Sequence, residues 1–327
     1  MLYFLKKGGL MKLAMLCGGH SSERPISFKS ARSIIEALEK SYPVLLIDTG
    51  RSEIFTDFEV QTEKEPLPPS PALVKRLLSH LEDHNIEKAC IMLHGGTGED
   101  GHIQALLDLC RIPYTGSGMG ASFVGMDKAL TKIIMEYYHV PTPDWTLLSN
   151  RVPRPASPPL ALPLIVKPVN EGSTVGLTKI EKEEEWEKAL HVAFQADDHI
   201  LIERYIPGRE LTVTVDEDGA WPPVEIQPKK GLYDFESKYS KGMSRYICPA
   251  EIPSSLLEKM NRDALLLYEK MGLRGVVRFD IRLEGGREYF FLEVNTLPGM
   301  TSLSLVPMSF QAGGLSYREL IQRIFHG

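Results

Sequence analysis

Continuous apolar runs of five or six residues alternate with helical spacing over the first third of the chain. Residues 12–17, 44–48 and 89–93 lack the in-and-out alternation of a half-exposed sheet, so they read as strands buried on both faces. Between and after them, apolar positions recur at helical spacing over 27–39, 71–84 and 101–110. This alternation predicts a doubly wound α/β unit whose site lies at the carboxyl ends of its strands. Two glycine-rich stretches occupy those ends: Gly18-Gly19-His20-Ser21-Ser22-Glu23-Arg24 and His94-Gly95-Gly96-Thr97-Gly98-Glu99-Asp100-Gly101. Neither is a dinucleotide fingerprint or a Walker loop, and taken singly each is an ordinary strand-to-helix turn. Glu99 and Asp100 stand where they would cap the helix that follows.

A helix over 127–139 comes next, then a proline-rich stretch over 153–163 that predicts an exposed, irregular connection. A strand over 165–169, an amphipathic helix over 183–194 and a strand over 200–205 follow. From Glu210 the period becomes two: Leu211-Thr212-Val213-Thr214-Val215, a turn at Asp216-Glu217-Asp218-Gly219, then Val224-Glu225-Ile226. No glutamate follows at calcium-loop distance, so the acidic turn predicts a hairpin. Trp145, Trp186 and Trp221 stand outside any motif and are expected to pack.

The densest chemistry lies toward the C-terminus. Phe279-Asp280-Ile281 puts an acid on one apolar strand, and Phe290-Phe291-Leu292-Glu293-Val294-Asn295 puts a carboxylate and a carboxamide two apart on the next. Residues two apart share a face, so Glu293 and Asn295 point together with Val294 turned away, and Asp280 can join them. Three hard oxygen donors suit Mg²⁺; a sheet with one wet face accounts for the triplet alone equally well. The turn at Pro298-Gly299, which brings backbone N–H groups to the same place, tips the balance toward the metal.

Ile165-Val166-Lys167-Pro168 places a lysine on an apolar strand, where its charge demands a partner. Glu171-Gly172-Ser173-Thr174-Val175-Gly176 follows, and its N–H and O–H groups suit a mobile lid over phosphate oxygens; a flexible surface hairpin is the plainer account. The strand ending Glu203-Arg204-Tyr205-Ile206 is expected to reach an interdomain hinge. An exposed strand edge there could hold adenine by its backbone, with Glu203 helping and Glu210 near the ribose hydroxyls.

A chain of 327 residues suggests two or three packed units. The net charge of −6 argues against a general nucleic-acid binder while leaving room for local basic patches. No apolar run is long enough to cross a membrane, and the apolar part of residues 1–10 is too short for a signal peptide, with Met11 a second candidate start. The four cysteines (Cys17, Cys90, Cys110, Cys248) are scattered without metal spacing, as in a reduced cytoplasmic protein.

Taken in order, these motifs resemble one family. They are Gly-Gly-x-Ser-x-Glu-Arg (18–24), Leu-His-Gly-x-x-Gly-Glu-Asp-Gly (93–101), Pro-Tyr-Thr-Gly-Ser-Gly (113–118), Met126-Asp127-Lys128, Val166-Lys167-Pro168, Glu171-Gly172-Ser173, Lys238-Tyr239, Cys248-Pro249-Ala250 and Asn295-Thr296-x-Pro-Gly-Met-Thr-Ser (295–302). The chain resembles the ATP-grasp carboxylate–amine ligases, and within them the D-alanine–D-alanine ligases, from about Lys12 to its end. The resemblance implies an α/β ATP-grasp fold with an N-terminal Rossmann-like domain (1–124), a central lid domain (125–206) and a C-terminal α+β catalytic domain (207–327). It implies ATP held between the last two, by Lys128, Lys167, Glu171, Gly172, Ser173, Glu203, Arg204, Ile206, Glu210 and Lys238. Asp280, Glu293 and Asn295 would bind two Mg²⁺ ions, with Mn²⁺ able to substitute.

The implied reaction joins two D-alanines through a D-alanyl phosphate, giving the dipeptide, ADP and phosphate for peptidoglycan synthesis. Glu23 would hold the first ammonium with His94 nearby, and Ser173 and Tyr239 would relay a proton from the second amine. Arg278 and the Gly299 N–H would face the oxyanion, while Arg278, Ser304 and Leu305 would receive the second substrate. Residues 233–247 are expected to close over the site. A cytoplasmic homodimer without nucleic-acid or membrane partners is implied. His20, Pro25 and Leu303 depart from the usual threonine, glutamate and histidine; Pro25 is expected to stiffen the first-substrate loop and Leu303 to alter second-site packing. The alternatives are a ligase using D-lactate or D-serine as acceptor, a kinase stopping at phosphoryl transfer, and a non-catalytic nucleotide-binding homologue.

Overall fold

A computed structural model describes residues 5–6, 9–38, 43–229 and 244–326. The chain forms two compact units, one of residues 1–123, 272–277 and 296–327, the other of 124–271 and 278–295.

The first unit is built on a four-stranded sheet of β1 (Leu13–Cys17), β2 (Val44–Asp48), β3 (Glu53–Phe55) and β4 (Lys88–Ile91), in the order β3-β2-β1-β4. β1 runs parallel to both β2 and β4, and only the edge strand β3 is antiparallel. Ala14, Leu16, Ile47 and Ile91 fill the core between this sheet and the helices α2 (Pro71–Asp83) and α3 (His102–Leu109). The loops after β1 and β4 therefore leave neighbouring strands at the same end of the sheet, as the alternation predicts. Helix α1 (Arg24–Ala37) begins three residues earlier than its apolar spacing suggests. Pro25 sits in its first turn, where an N–H has no intrahelical acceptor anyway, so the helix loses no hydrogen bond to it.

In the second unit, α4 (Lys128–Tyr137) starts on Asp127, whose carboxylate accepts from Leu130 N at 2.9 Å. An antiparallel sheet follows with the order β5-β8-β6-β7, formed by β5 (Trp145–Ser149), β6 (Leu164–Pro168), β7 (Thr178–Ile180) and β8 (His199–Arg204). Helix α5 (Trp186–Phe194) covers one face through Trp186, Leu190 and Ala193. A larger sheet runs β11-β10-β9-β12-β13, from β9 (Arg209–Asp216), β10 (Val224–Pro228), β11 (Ser244–Ile247), β12 (Val277–Glu284) and β13 (Glu288–Asn295). The turn after β9 is a hairpin, with Asp216 Oδ1 accepting from Asp218 N.

Not among the expected elements are β5, β7 and the 17-residue α6 (Ser254–Lys270), whose buried Met260, Ala264 and Leu267 form a narrow stripe in a charged helix. After β13 the chain returns to the first unit, ending in α7 (Leu305–Ala312) and α8 (Tyr317–His326).

Candidate active site

Within the second unit a cleft of about 860 Å³, its solvent-open mouth included, lies among the start of α4, β6, the 171–177 loop, the end of β8, and strands β12 and β13. Every nucleotide residue singled out from the sequence lines it except Lys238, which with Tyr239 and most of the 233–247 segment lies outside the described residues. Ser173 and Thr174 hold φ of 49° and 67°, left-handed conformations that ordinary residues adopt only when the surroundings enforce them. Lys128 Nζ donates to the carbonyl of Glu171 at 2.7 Å, pinning that loop to the start of α4.

Two lysines share one carboxylate beneath the cleft. Lys167 Nζ lies 2.6 Å from Glu203 Oε1, and Lys132 Nζ lies 2.8 Å from Glu203 Oε2. Burial would raise the Glu203 carboxyl, but the two ammonium groups outweigh it and hold it below its usual range. Burial likewise works against the Lys167 charge, yet Glu203, Glu293 and Asp280 together raise it above the ordinary lysine value. Lys167 is thus a fixed cation at the cleft wall, suited to an anionic ligand.

The hinge differs from expectation in one respect. β8 is a central strand, with Glu203 paired to Trp145 on one side and Ile165 on the other, so no edge is exposed there. The N–H groups of Arg204 and Tyr205 donate to Asp144 and Pro163, and the edge begins no earlier than Ile206. Arg282 holds the segment beyond it, donating to Ile206 O at 3.0 Å, Gly208 O at 2.9 Å and Glu210 Oε2 at 3.2 Å. Arg282 has no place in the expected set, although it alternates with Arg278 and Asp280 on one face of β12 and was findable by that spacing.

Two of the expected oxygen donors meet on the β12–β13 ladder beside a bulge. Asp280 pairs directly with Glu293 and Arg278 with Asn295, but Ile281 pairs with Phe291, leaving Leu292 as the extra residue. Strict alternation would put Phe291 on the same face as Glu293. The bulge instead buries Phe291 completely and turns Leu292 and Glu293 toward the cleft. Asn295 lies two residues on, beyond the cleft lining. Arg278 grips Asp280 with two hydrogen bonds of 2.6 and 2.8 Å, and Lys128 Nζ stands 3.7 Å from Glu293 Oε2. Two carboxylates and a carboxamide fit Mg²⁺, which completes its shell with water and phosphate; among the described residues no cluster of three His, Cys, Asp or Glu offers an all-protein cage.

In the first unit, Glu23 precedes α1, and a Cβ on Gly95 would fall 3.1 Å from Glu23 Oε2, so this carboxylate and the His94-Gly95 turn are adjacent. His94, 6% exposed, ties this turn to the loop after β13. Its Nδ1 lies 2.8 Å from Leu297 O and its Nε2 3.0 Å from Ser30 Oγ, which accepts from Met300 N at 3.2 Å. Because Ser30 receives the Met300 N–H, its own hydrogen can go to Nε2, leaving Nδ1–H to donate to Leu297. Glu99 does not cap α3: its two oxygens accept from Gly95 N and Leu297 N, while Asp100 accepts from His102 N at the helix start. Gly299 is thereby carried on a loop fixed on both sides. Ser304 precedes α7 and meets Thr301 through its hydroxyl at 2.8 Å, Leu305 is buried, and Leu303 is 73% exposed.

Models of the D-ala D-ala ligase N-terminus and D-ala D-ala ligase C-terminus match residues 12–117 and 128–326. The chain belongs to the D-alanine–D-alanine ligase family. It is 38% identical over 317 residues to the D-alanine–D-alanine ligase of Syntrophotalea carbinolica, covering 97% of this chain and 95% of that one. To that of Nitrosomonas europaea it is 37% identical, with 96% and 95% covered. The Bacillus anthracis ligase complexed with ATP superposes with a TM-score of 0.77 at 28% identity, over 97% and 96% of the two chains. The Coxiella burnetii ligase gives 0.77 at 25% identity, over 97% and 93%. The fold is that of the ATP-grasp ligases.

Proposed function

We propose that this chain joins two D-alanines at the expense of ATP. The observation that carries the reading is the cleft of the second unit: a raised lysine in its wall, a backbone turn held by Lys128, and a hinge pinned by Arg282 beside Glu210. A carboxylate cannot be attacked by an amine until its oxygen becomes a leaving group. The first D-alanine carboxylate therefore takes the γ-phosphoryl; the new O–P bond forms as the bond to the β–γ bridging oxygen breaks and ADP departs. Transfer of this kind needs positioning and charge neutralisation, which Lys128, Lys167 and Lys238 supply. The second amine, having lost its proton, forms the C–N bond as phosphate leaves.

Mg²⁺, held by Asp280, Glu293 and Asn295 as two ions, would neutralise phosphate charge in this reading. Glu23 holds the first ammonium, and the Gly299 N–H donates to the oxyanion, a role typically worth ~3 kcal/mol. Ser304 and Leu305 at the start of α7 suit the second carboxylate, because the first-turn N–H groups of a helix favour an anion. Arg278, Ser173 and Tyr239 keep the oxyanion, acceptor and proton-relay roles that family membership implies, and His94 acts through the loop it holds. Assignment to peptidoglycan synthesis, to the cytoplasm, to a homodimer and to three domains bounded near 124 and 206 belongs to the same reading. No helix among the described residues is long and apolar enough to cross a membrane.

The test is phosphate release from Mg·ATP with D-alanine, L-alanine, or D-lactate plus D-alanine, with products identified by mass. D-alanine-dependent formation of the dipeptide is expected. ATP binding without such turnover overturns the reading, and a mixed ester moves it to the depsipeptide ligases.

A further inference from the structure

Lys132 lies one helical turn beyond Lys128 on α4, is completely buried, and belongs to none of the roles above. A lone ammonium in such a place is costly, so its partners decide what it does. Nζ is 2.8 Å from Glu203 Oε2 and donates at 2.7 Å to Thr142 Oγ1. No aligned hydrogen bond reaches that Glu203 oxygen among the described residues, so Lys132 holds it by charge. Thr142 passes its own hydrogen to the carbonyl of Phe291 at 2.9 Å, and Phe291 N donates to Pro141 O at 2.8 Å. The residue fixed in this way adjoins the bulge that turns Glu293 toward the cleft.

At Glu203 itself two lysines share one negative charge, so Lys167 is only partly neutralised there, with Glu293 and Asp280 the other acids that bear on it. Burial lowers the Lys132 ammonium and Glu203 opposes that. Lys132 is not among the residues that line the cleft, whereas Lys167 and Glu203 are. Without Lys132, the whole Glu203 charge would fall on Lys167, which already lies 2.6 Å from it.

We propose that Lys132 is a positioning residue for the phosphate chain: by engaging the far oxygen of Glu203 it leaves Lys167 only partly neutralised by that carboxylate at the wall of the cleft. This rests on the reading of the cleft as the ATP site. It predicts that Lys132 matters to the phosphates and not to the base.

The experiment is calorimetric titration of ATP and of adenosine into the wild-type chain, Lys132→Met, and Lys132→Met with Glu203→Gln. In Lys132→Met, ATP is expected to weaken by at least ~10-fold, as when one member of a buried charge pair is removed, with adenosine changed less than about twofold. In the double variant Lys167 recovers its unshared charge, and most of the ATP preference over adenosine should return. Where the single variant fails to fold, the double variant carries the test, because it buries no carboxylate opposite an apolar side chain. Parallel weakening of ATP and adenosine, unchanged ATP affinity, or a double variant lacking the preference each overturns the inference. A wild-type chain that does not prefer ATP to adenosine overturns the reading of the cleft instead.

Discussion

Replacing His94 by leucine tests whether this side chain acts through the loop that carries Gly299. The substitution keeps an apolar body of similar bulk in a site only 6% exposed and removes both ring nitrogens. Leu297 O then loses its 2.8 Å donor, and the Ser30 hydroxyl loses its 3.0 Å acceptor while still receiving Met300 N. A buried polar group left without its partner costs about 1–3 kcal/mol, and Ser30 is only half orphaned, so a loss of about 2–4 kcal/mol is expected. Displacing Gly299 by an ångström would lower kcat on the order of 100-fold, with a smaller effect on KM for ATP. Urea unfolding followed by circular dichroism gives the first quantity and dipeptide formation the second. Ser30→Ala and the double variant complete a cycle whose coupling should be on the order of 1 kcal/mol. If kcat collapses while the unfolding midpoint stays put, His94 works on substrate directly and the loop argument fails. If neither moves, the hydrogen-bonded ring around Pro298 and Gly299 contributes nothing.

Other consequences are accessible to simpler measurements. Gly18, at φ +79°, cannot accept a Cβ without meeting the Asp48 carboxylate, Arg24 Nη1 at 2.7 Å and Phe28 Cζ at 2.9 Å, so Gly18→Ala should cost about 3 kcal/mol and lower the thermal midpoint by several degrees. Arg282→Ala frees the segment from Ile206 to Glu210 and should weaken adenosine and ATP alike, about 10-fold, by calorimetry; an effect on ATP alone would contradict its assignment to the hinge. In the native protein a disulfide reagent should label Cys110 quickly and Cys248 slowly, because burial pushes the Cys248 thiol up to about 11. Cys17 and Cys90 should react only after unfolding. Burial raises the Cys90 thiol from 9.0 to about 12, so above pH 9 the unfolded chain loses a proton that the folded chain keeps. Stability should therefore fall as pH rises from about 9 toward 12 and be indifferent to this group below 9; a flat profile across that window would contradict its burial.

The sequence by itself determined the elements whose cause is local. Unbroken apolar runs mark β1 and β2, because a strand covered on both faces has no polar side to alternate with. The helices over 71–84 and 127–139 were legible from apolar spacing, and each begins where a short side chain, Ser70 or Asp127, satisfies a first-turn N–H. The charges of Lys167, Asp280 and Glu293 were legible too, since ionised groups on apolar strands are too costly to keep without a purpose. Only the tertiary structure decided what those charges face. The bulge at Leu292 shifts pairing by one residue and separates Phe291 from Glu293, which no alternation rule can foresee because the extra residue is defined by its partner strand. Lys132, Thr142 and Phe291 meet from segments up to 159 positions apart, and nothing near any of them in the chain announces the others. Glu99 stands where a helix cap belongs, yet it is bonded to Leu297, 198 residues away. Such partners are selected by the need to satisfy buried polar groups, a condition set by the folded interior and not by the neighbouring sequence.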